Sequence, residues 1–467
     1  MNFTANAKLF ESTFTVTNTN EGKKLVHHSG KRFRVFPFNT TQQSTSPAVE
    51  SLDSLVGYYL SLIEGIKPKA ISMDALLEQL EKETKIEPGC EELFRETVNR
   101  LFFENGQLRS LNLKMREYTL CTEPAERRIA EYLVDVLGNH EDLRTLVKKA
   151  MEALSARSNV FERLVISKLE LEENPPKAWP HYTPVTTALK SVFEQDFAYI
   201  LSSEARTRDY LIPLLEFYYF AYTAQALLQL DRLCDGEPTS VSPLYFCLEW
   251  EKTSQNRQCY AKGWQRLERA VERLFAHAVT LEILNQTEEE GAFDYAKLSR
   301  MAAQSDEADA QIAGEIRTLT QMYRNAISGS SEMDAVTQKT ASNRKTAAEI
   351  RFLFDSVRAQ FSDTERRKNY NTYADKFRKF CEQNYLKRRG RSGYMLNLSE
   401  KTLIFLTKIC VKDLEVLRLN DVFKEFEHRG VFLDNLSKEQ AALYFEKLNL
   451  IEKKSDSGDA KYVKRIL

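Results

Sequence analysis

The sequence predicts a mainly α-helical fold, with a multi-helix body, a short N-terminal β segment and a C-terminal winged helix. Three observations lead there. Glycine and proline number 16 and 12, or 28 of 467 residues, about half the roughly 12% of average usage. A chain this poor in turn formers lacks the corners of a many-stranded sandwich. From Leu52 onward apolar residues recur at three- and four-residue spacings, the period of a helix. Runs of β-branched and aromatic residues gather near the two ends of the chain.

Taken in order, Phe14 to Thr17 and Arg32 to Phe36 read as two short strands ending at Pro37, and 40–47 reads as a polar linker. Leu52, Leu55, Tyr59, Leu60 and Ile63 mark the first helical face. Asp74 opens a helix through Thr84; Pro88-Gly89 breaks it, and the next helix runs to Glu104. Helices fit 124–137, 141–154 and 158–170, before Pro175, Pro176, Pro180 and Pro184 interrupt the pattern. Helices resume over 186–202 and 207–233, from Pro243 to about 285, over 294–327, 343–360 and 363–386. At about 150 residues per domain the length suggests about three domains. The breaks divide the chain into an extended N-terminal segment 1–50, a helical domain 51–183, a second helical domain 184–392 with a basic final helix, and a winged-helix domain 393–467.

Lys plus Arg total 66 and Asp plus Glu 67, which excludes a globally basic binder but not a local basic face. The seven cysteines form no CxxC pair and read as reduced thiols of a cytoplasmic protein. Met1 to Thr13 has no apolar core, so no signal peptide is expected. Tyr210 to Leu230 is the most hydrophobic stretch; with Pro213, Glu216, Gln225 and Gln229 inside it, it reads as a buried helix and not a membrane span.

Catalytic motifs are missing. Gly30-Lys31 lacks both the upstream glycine and the following Ser/Thr of a P-loop, having Leu25 and Arg32 there. Glu83-Thr84-Lys85 has a nuclease-like spacing on a helix end, with no accompanying strand aspartate. Among six histidines only His27 and His28 are adjacent, with no cysteine nearby. No catalytic residue, metal ligand or cofactor site is assigned.

Residues 366–392 hold ten basic and two acidic residues, a net charge of +8 in a chain of net charge −1. Such segregation suits a phosphate-binding face. Tyr370, Tyr373, Phe377, Phe380 and Asn384 fall on one helical stripe, so those aromatics also fit a core, with the cations as its solvated face. The cluster Lys387, Arg388, Arg389 and Arg391 lies beyond that stripe and is the main candidate for nucleic-acid contact. Lys31-Arg32-Phe33-Arg34 has similar composition in a strand context, with Arg32 and Arg34 on one face.

The last 74 residues carry the winged-helix order. Ser399 caps a helix Glu400 to Val411, Leu417 to Leu419 is a strand, and Asn420 caps a helix Asp421 to His428 stopped by Arg429-Gly430. Ser437 caps a third helix, Lys438 to Leu448, with Leu443, Tyr444 and Leu448 inward. A hairpin then turns at Asp456 to Asp459 with Gly458 at the tight position. In DNA-binding versions the third helix enters the major groove and the wing touches phosphate. Lys438 and Gln440 on the third helix, and Lys453, Lys454, Lys461, Lys464 and Arg465 on the wing, are therefore candidate DNA contacts. A protein-docking winged helix is the alternative.

Three stretches carry a family resemblance: Arg389-Gly390-Arg391-Ser392-Gly393-Tyr394, Arg429-Gly430 ahead of hydrophobic residues and Asp434, and Ser455 to Ala460 running into Tyr462-Val463. They resemble the C-terminal pattern of the DptG (DndG) family, subunits of the bacterial restriction system linked to DNA phosphorothioation. The resemblance implies a setting in which sister proteins replace a non-bridging phosphate oxygen by sulfur, and a three-protein set with DptF- and DptH-like ATPase/nuclease subunits attacks unmarked DNA. It supplies no active-site residues. The expected function is thus a non-catalytic DNA-binding adaptor whose partners are double-stranded DNA and those subunits, with no membrane. A pure scaffold without DNA contact, and a cryptic nuclease, are the competing readings.

Overall fold

The computed structural model describes residues 2–466 except 20–21, 43–45, 47, 70, 105–106, 110, 120, 156–159, 174, 176, 328, 339–343, 363 and 454–460. Helices dominate it and the strands are short. A helix unforeseen in the sequence, Ala7–Thr13, starts at Asn6, whose side chain accepts the Leu9 amide at 3.0 Å. The N-terminal hairpin is shifted from its expected place: Val16–Thr19 pairs with Gly22–Leu25, and residues 32–36 are not a strand. The cause is a carboxylate. Glu282 accepts the amides of Gly30, Lys31 and Arg32 at 2.9, 3.0 and 3.0 Å, and that of Phe33 at 3.4 Å. Those donors then need no strand partner, while Phe33, Val35 and Phe36 still bury their side chains.

The first helical face forms as its spacing requires: Leu52, Leu55, Tyr59, Leu60 and Ile63 are all buried around helix Val56–Glu64, which ends at Gly65 with φ 70°. Helices Met73–Glu83, Glu91–Phe102, Pro124–Val136, His140–Ser155, Val160–Ile166, Lys190–Leu201 and Glu204–Asp231 follow. Phe103–Glu104 leaves the expected helix to pair with Gln107–Leu108. Tyr210 to Leu230 lies inside the Glu204–Asp231 helix and is mostly buried by protein. Among the described residues no helix is long and apolar enough to cross a membrane.

The expected helix from Pro243 to 285 is instead a strand, Tyr245–Leu248, followed by helices Gln258–Ala261, Trp264–Glu272 and Leu274–Leu284. The strand is central to a four-stranded sheet. It runs parallel to Tyr394–Leu398 on one side and to Phe432–Leu433 on the other, and Leu386–Arg388 pairs antiparallel at the edge. Its partners lie some 150 to 190 residues downstream, so local pattern could not reveal it. The expected 294–327 helix is two, Tyr295–Ala302 and Asp306–Asn325, because Ser305 caps the second by accepting the Ala308 amide at 3.1 Å. Lys345–Gln360 and Thr364–Asn384 complete the body.

At the C-terminal end helix Glu400–Val411 begins at Ser399 as expected. Strand Val416–Arg418 leads directly into helix Leu419–His428, with no side-chain cap from Asn420. The third helix, Asn435–Lys447, is capped by Asp434, which accepts the Ser437 amide at 3.0 Å. Ser437 is thus inside the first turn, and its hydroxyl donates to Glu251 Oε1 at 2.8 Å. Ile451–Lys453 and Lys461–Lys464 pair antiparallel, and the latter also pairs with 416–418. The turn holding Gly458 lies outside the described residues. One hydrophobic cluster runs from Phe3 to Val463 and draws on the segments before residue 50, after residue 393 and between; a smaller one gathers Leu76, Leu80, Val98, Phe102, Met115 and Val165.

Candidate nucleic-acid interface

The cations proposed from sequence divide into those spent inside the protein and those facing water. Arg389 is spent. Strand 386–388 and strand 394–398 form a hairpin whose turn is the short Gly390–Ser392 helix, with Gly393 at φ 69°. The turn folds Arg389 under the sheet edge, where Nη2 donates to Leu248 O at 2.8 Å and Asn397 Oδ1 at 2.9 Å, and Nη1 donates to Glu251 O at 3.2 Å. Beside it, the Cys259 thiol first, and then Arg389, draw the buried Cys247 thiol below its usual range. Lys387 pairs with Glu249 at 3.1 Å.

Lys438 and Lys461 are also matched, to Glu427 and Glu446, each at 2.9 Å. The hydrogen bond from Lys461 holds the Glu446 carboxyl below its usual range, and Lys453 adds to the effect. Gln440 is half-buried. Arg388, Arg391, Lys453, Lys464 and Arg465 are exposed and make no ion pair among the described residues. Lys454 lies outside the described residues. Exposed ion pairs contribute about 0–1 kcal/mol, so phosphate could compete for Lys387, Lys438 and Lys461. Each of the three is nevertheless matched by one carboxylate before any ligand arrives.

The 366–392 segment resolves in favour of the core. Tyr373, Phe377 and Phe380 are fully covered, Tyr370 is half-buried, and the Asn384 side chain donates to the Glu50 and Phe380 carbonyls. Lys376 is buried, its ammonium donating to the Ser46 carbonyl, and burial lowers its pKa. Arg378 meets Glu268 at 3.1 Å. At the N-terminus Arg32 donates to Asn285 O at 2.9 Å, and Arg34 donates to Pro180 O at 2.9 Å while lying over the Tyr182 ring.

The third helix holds the largest departure from expectation. Leu443 and Leu448 were expected inward, but Ser437, Ala441, Ala442 and Phe445 fill those places. Leu436, Leu443 and Leu448 are 54%, 49% and 43% exposed, with Glu439 and Lys447 beside them. Tyr444 is drawn halfway in, its ring tilted 36° against Trp250 with centroids 4.6 Å apart, and its hydroxyl donates to Glu400 at 2.9 Å. The small Ser437, Ala441 and Ala442 form the buried face together with Phe445 and pack near the strand Tyr245–Leu248, while Leu436 and Leu443 lie on the other side of the helix.

Among the described residues no cluster of three or more His, Cys, Asp or Glu is placed to hold a metal ion. No protein-family model matches the chain, and no curated protein matches it.

Proposed function

We propose that the chain is a non-catalytic adaptor subunit of a phosphorothioation-dependent DNA restriction complex. In this reading residues 393–467 are a winged helix that docks on a protein partner through its third helix. The succession of helix, strand, helix, helix and hairpin, with the first strand paired to the hairpin, supports the winged-helix assignment. The observation that carries docking is the exposed pair Leu436 and Leu443, seven residues apart on one outward face of that helix, with the exposed Leu448 just past its end. A helix reading the major groove offers donors and acceptors to base edges; this one exposes Leu436 and Leu443, and its Lys438 is occupied by Glu427. By the family resemblance, the partners are DptF- and DptH-like ATPase/nuclease subunits.

DNA contact is the second reading, favoured by Arg388, Arg391, Lys464 and Arg465, which are exposed and make no ion pair among the described residues. Co-purification with those subunits after nuclease digestion tests the first. Leu436→Glu with Leu443→Glu is expected to cut partner retention by about tenfold or more, the effect of charging the centre of an apolar interface; unchanged retention overturns docking by this helix. In a parallel filter-binding assay, Arg388→Glu with Arg391→Glu abolishes DNA retention only if the second reading holds.

A further inference from the structure

Part of the basic run that opens the 364–384 helix closes a pocket. Where that helix crosses the ends of Trp264–Glu272 and Lys345–Gln360, a half-open cavity of about 550 Å³ is left, within the roughly 300–1,000 Å³ usual for small-molecule sites. Four guanidinium groups line it, from Arg273, Arg358, Arg367 and Arg378. Its aromatic wall is Tyr370 against Phe361, ring centroids 5.2 Å apart, and the carboxylates of Glu272 and Asp375 complete the lining.

The four arginines are not equivalent. Arg273 is held by Asp231 at 2.7 Å, and Arg378 by Glu268 at 3.1 Å and Glu272 at 4.0 Å. Among the described residues the buried Arg378 Nε has no hydrogen-bond partner. Arg358 touches Asp355 at 3.5 Å, and Arg367 is exposed with no ion pair among the described residues. Arg273 and Arg378 are therefore fixed by short ion pairs, Arg367 is open, and Arg358 has only its longer, half-exposed contact to Asp355, a pair weak enough for a phosphate to displace. Planar guanidinium forks match phosphate oxygens. A bare oxyanion would gain nothing from the aromatic wall and would be repelled by Glu272 and Asp375. A ligand bearing phosphate, hydroxyl donors and a flat ring satisfies all three parts of the lining, since carboxylates accept ribose hydroxyls in established nucleotide sites.

We infer that this pocket binds a ribonucleotide, its phosphates on Arg358 and Arg367 and its ribose hydroxyls on Asp375. This site is separate from the docking helix, and neither depends on the other. Calorimetric titration of the full chain with ATP, AMP, inorganic phosphate and a short DNA duplex tests it. ATP or AMP binding is expected, weakened about tenfold or more in Arg358→Ala with Arg367→Ala, from the loss of charge-assisted hydrogen bonds. Asp375→Ala, which removes the acceptor, is expected to abolish the preference for ATP over 2′,3′-dideoxy-ATP, a readout that a merely destabilised variant would not move selectively. Absence of nucleotide heat to about 1 mM, where binding is worth only about 4 kcal/mol, overturns the inference. Nucleotide binding indifferent to the arginine pair also overturns it. So does phosphate binding as tight as ATP, which marks an adventitious anion only, or a response confined to the duplex, which marks a nucleic-acid face. Circular dichroism and melting temperature confirm that each variant is folded.

Discussion

A guanidinium sealed from water persists only where its donors are met, and Arg429 is such a group. Its Nε and Nη2 both reach Asp196 at 2.7 Å, and Nη1 reaches Glu425 at 2.7 Å. Asp196 also accepts Tyr218 Oη at 2.7 Å and pairs with Lys412 at 3.0 Å. This network ties the 190–201 helix to the 400–428 region. The next residue is fixed by space: Gly430 has φ 83°, and a Cβ there would sit 3.0 Å from Gln225 Nε2. Arg429-Gly430, which carries part of the family resemblance, is therefore explained by packing and leaves nothing over for DNA. Arg429→Leu strands a buried carboxylate network and should cost about 3–5 kcal/mol, whereas Arg429→Leu with Asp196→Leu should recover part of it. Urea midpoints with matched slopes measure both. A single variant within about 0.5 kcal/mol of wild type, the range of inert surface changes, would reject the buried-network account.

At the scale of an element, the 386–398 hairpin separates two arginines that the sequence presents as one cluster. Arg389 satisfies two carbonyls and an amide oxygen beneath the sheet edge, and Arg391 projects into water. Arg389→Ala should lower stability by about 2 kcal/mol through the unsatisfied acceptors, and Arg391→Ala should change it by less than about 0.5 kcal/mol. Thermal melts that rank them in the opposite order would contradict the hairpin geometry. Strand alternation would put residues 389 and 391 on one face; they part because the short Gly390–Ser392 helix turns the chain between Leu386–Arg388 and Tyr394–Leu398, a pairing that only the folded chain reveals. Legibility of this fold follows the same line. The helical face at 52–63, the Ser399 cap and the closing hairpin were readable because periodicity and caps are local. The strand Tyr245–Leu248, the Glu282 cradle for residues 30–33 and the inward face of the third helix were not, because each is decided by a partner far along the chain. For the candidate site, residue types were legible and pairings were not: nothing local tells that Lys461 faces Glu446 while Lys464 faces water.

For the whole molecule, a net charge of −1 makes any DNA affinity depend on the few cations without internal partners. The proposed contact set has five of these among the described residues: Arg388, Arg391, Lys453, Lys464 and Arg465. Three more, Lys387, Lys438 and Lys461, would have to leave Glu249, Glu427 and Glu446. Counterion release gives a slope of log K against log salt of about −0.9 per phosphate neutralised. Binding through the five alone therefore gives a slope of about −4.5, and recruitment of the three paired lysines steepens it to about −7. Fluorescence anisotropy with duplex DNA across a range of salt concentrations reads this number directly. The steeper slope requires those ion pairs to open on DNA, and Glu249→Gln, Glu427→Gln and Glu446→Gln should then raise affinity by freeing the lysines. The shallower slope leaves those three substitutions without effect on DNA. A slope near zero, with no binding at low salt, removes the double helix as a direct ligand of this surface and leaves the proposed docking through Leu436 and Leu443 as the remaining reading.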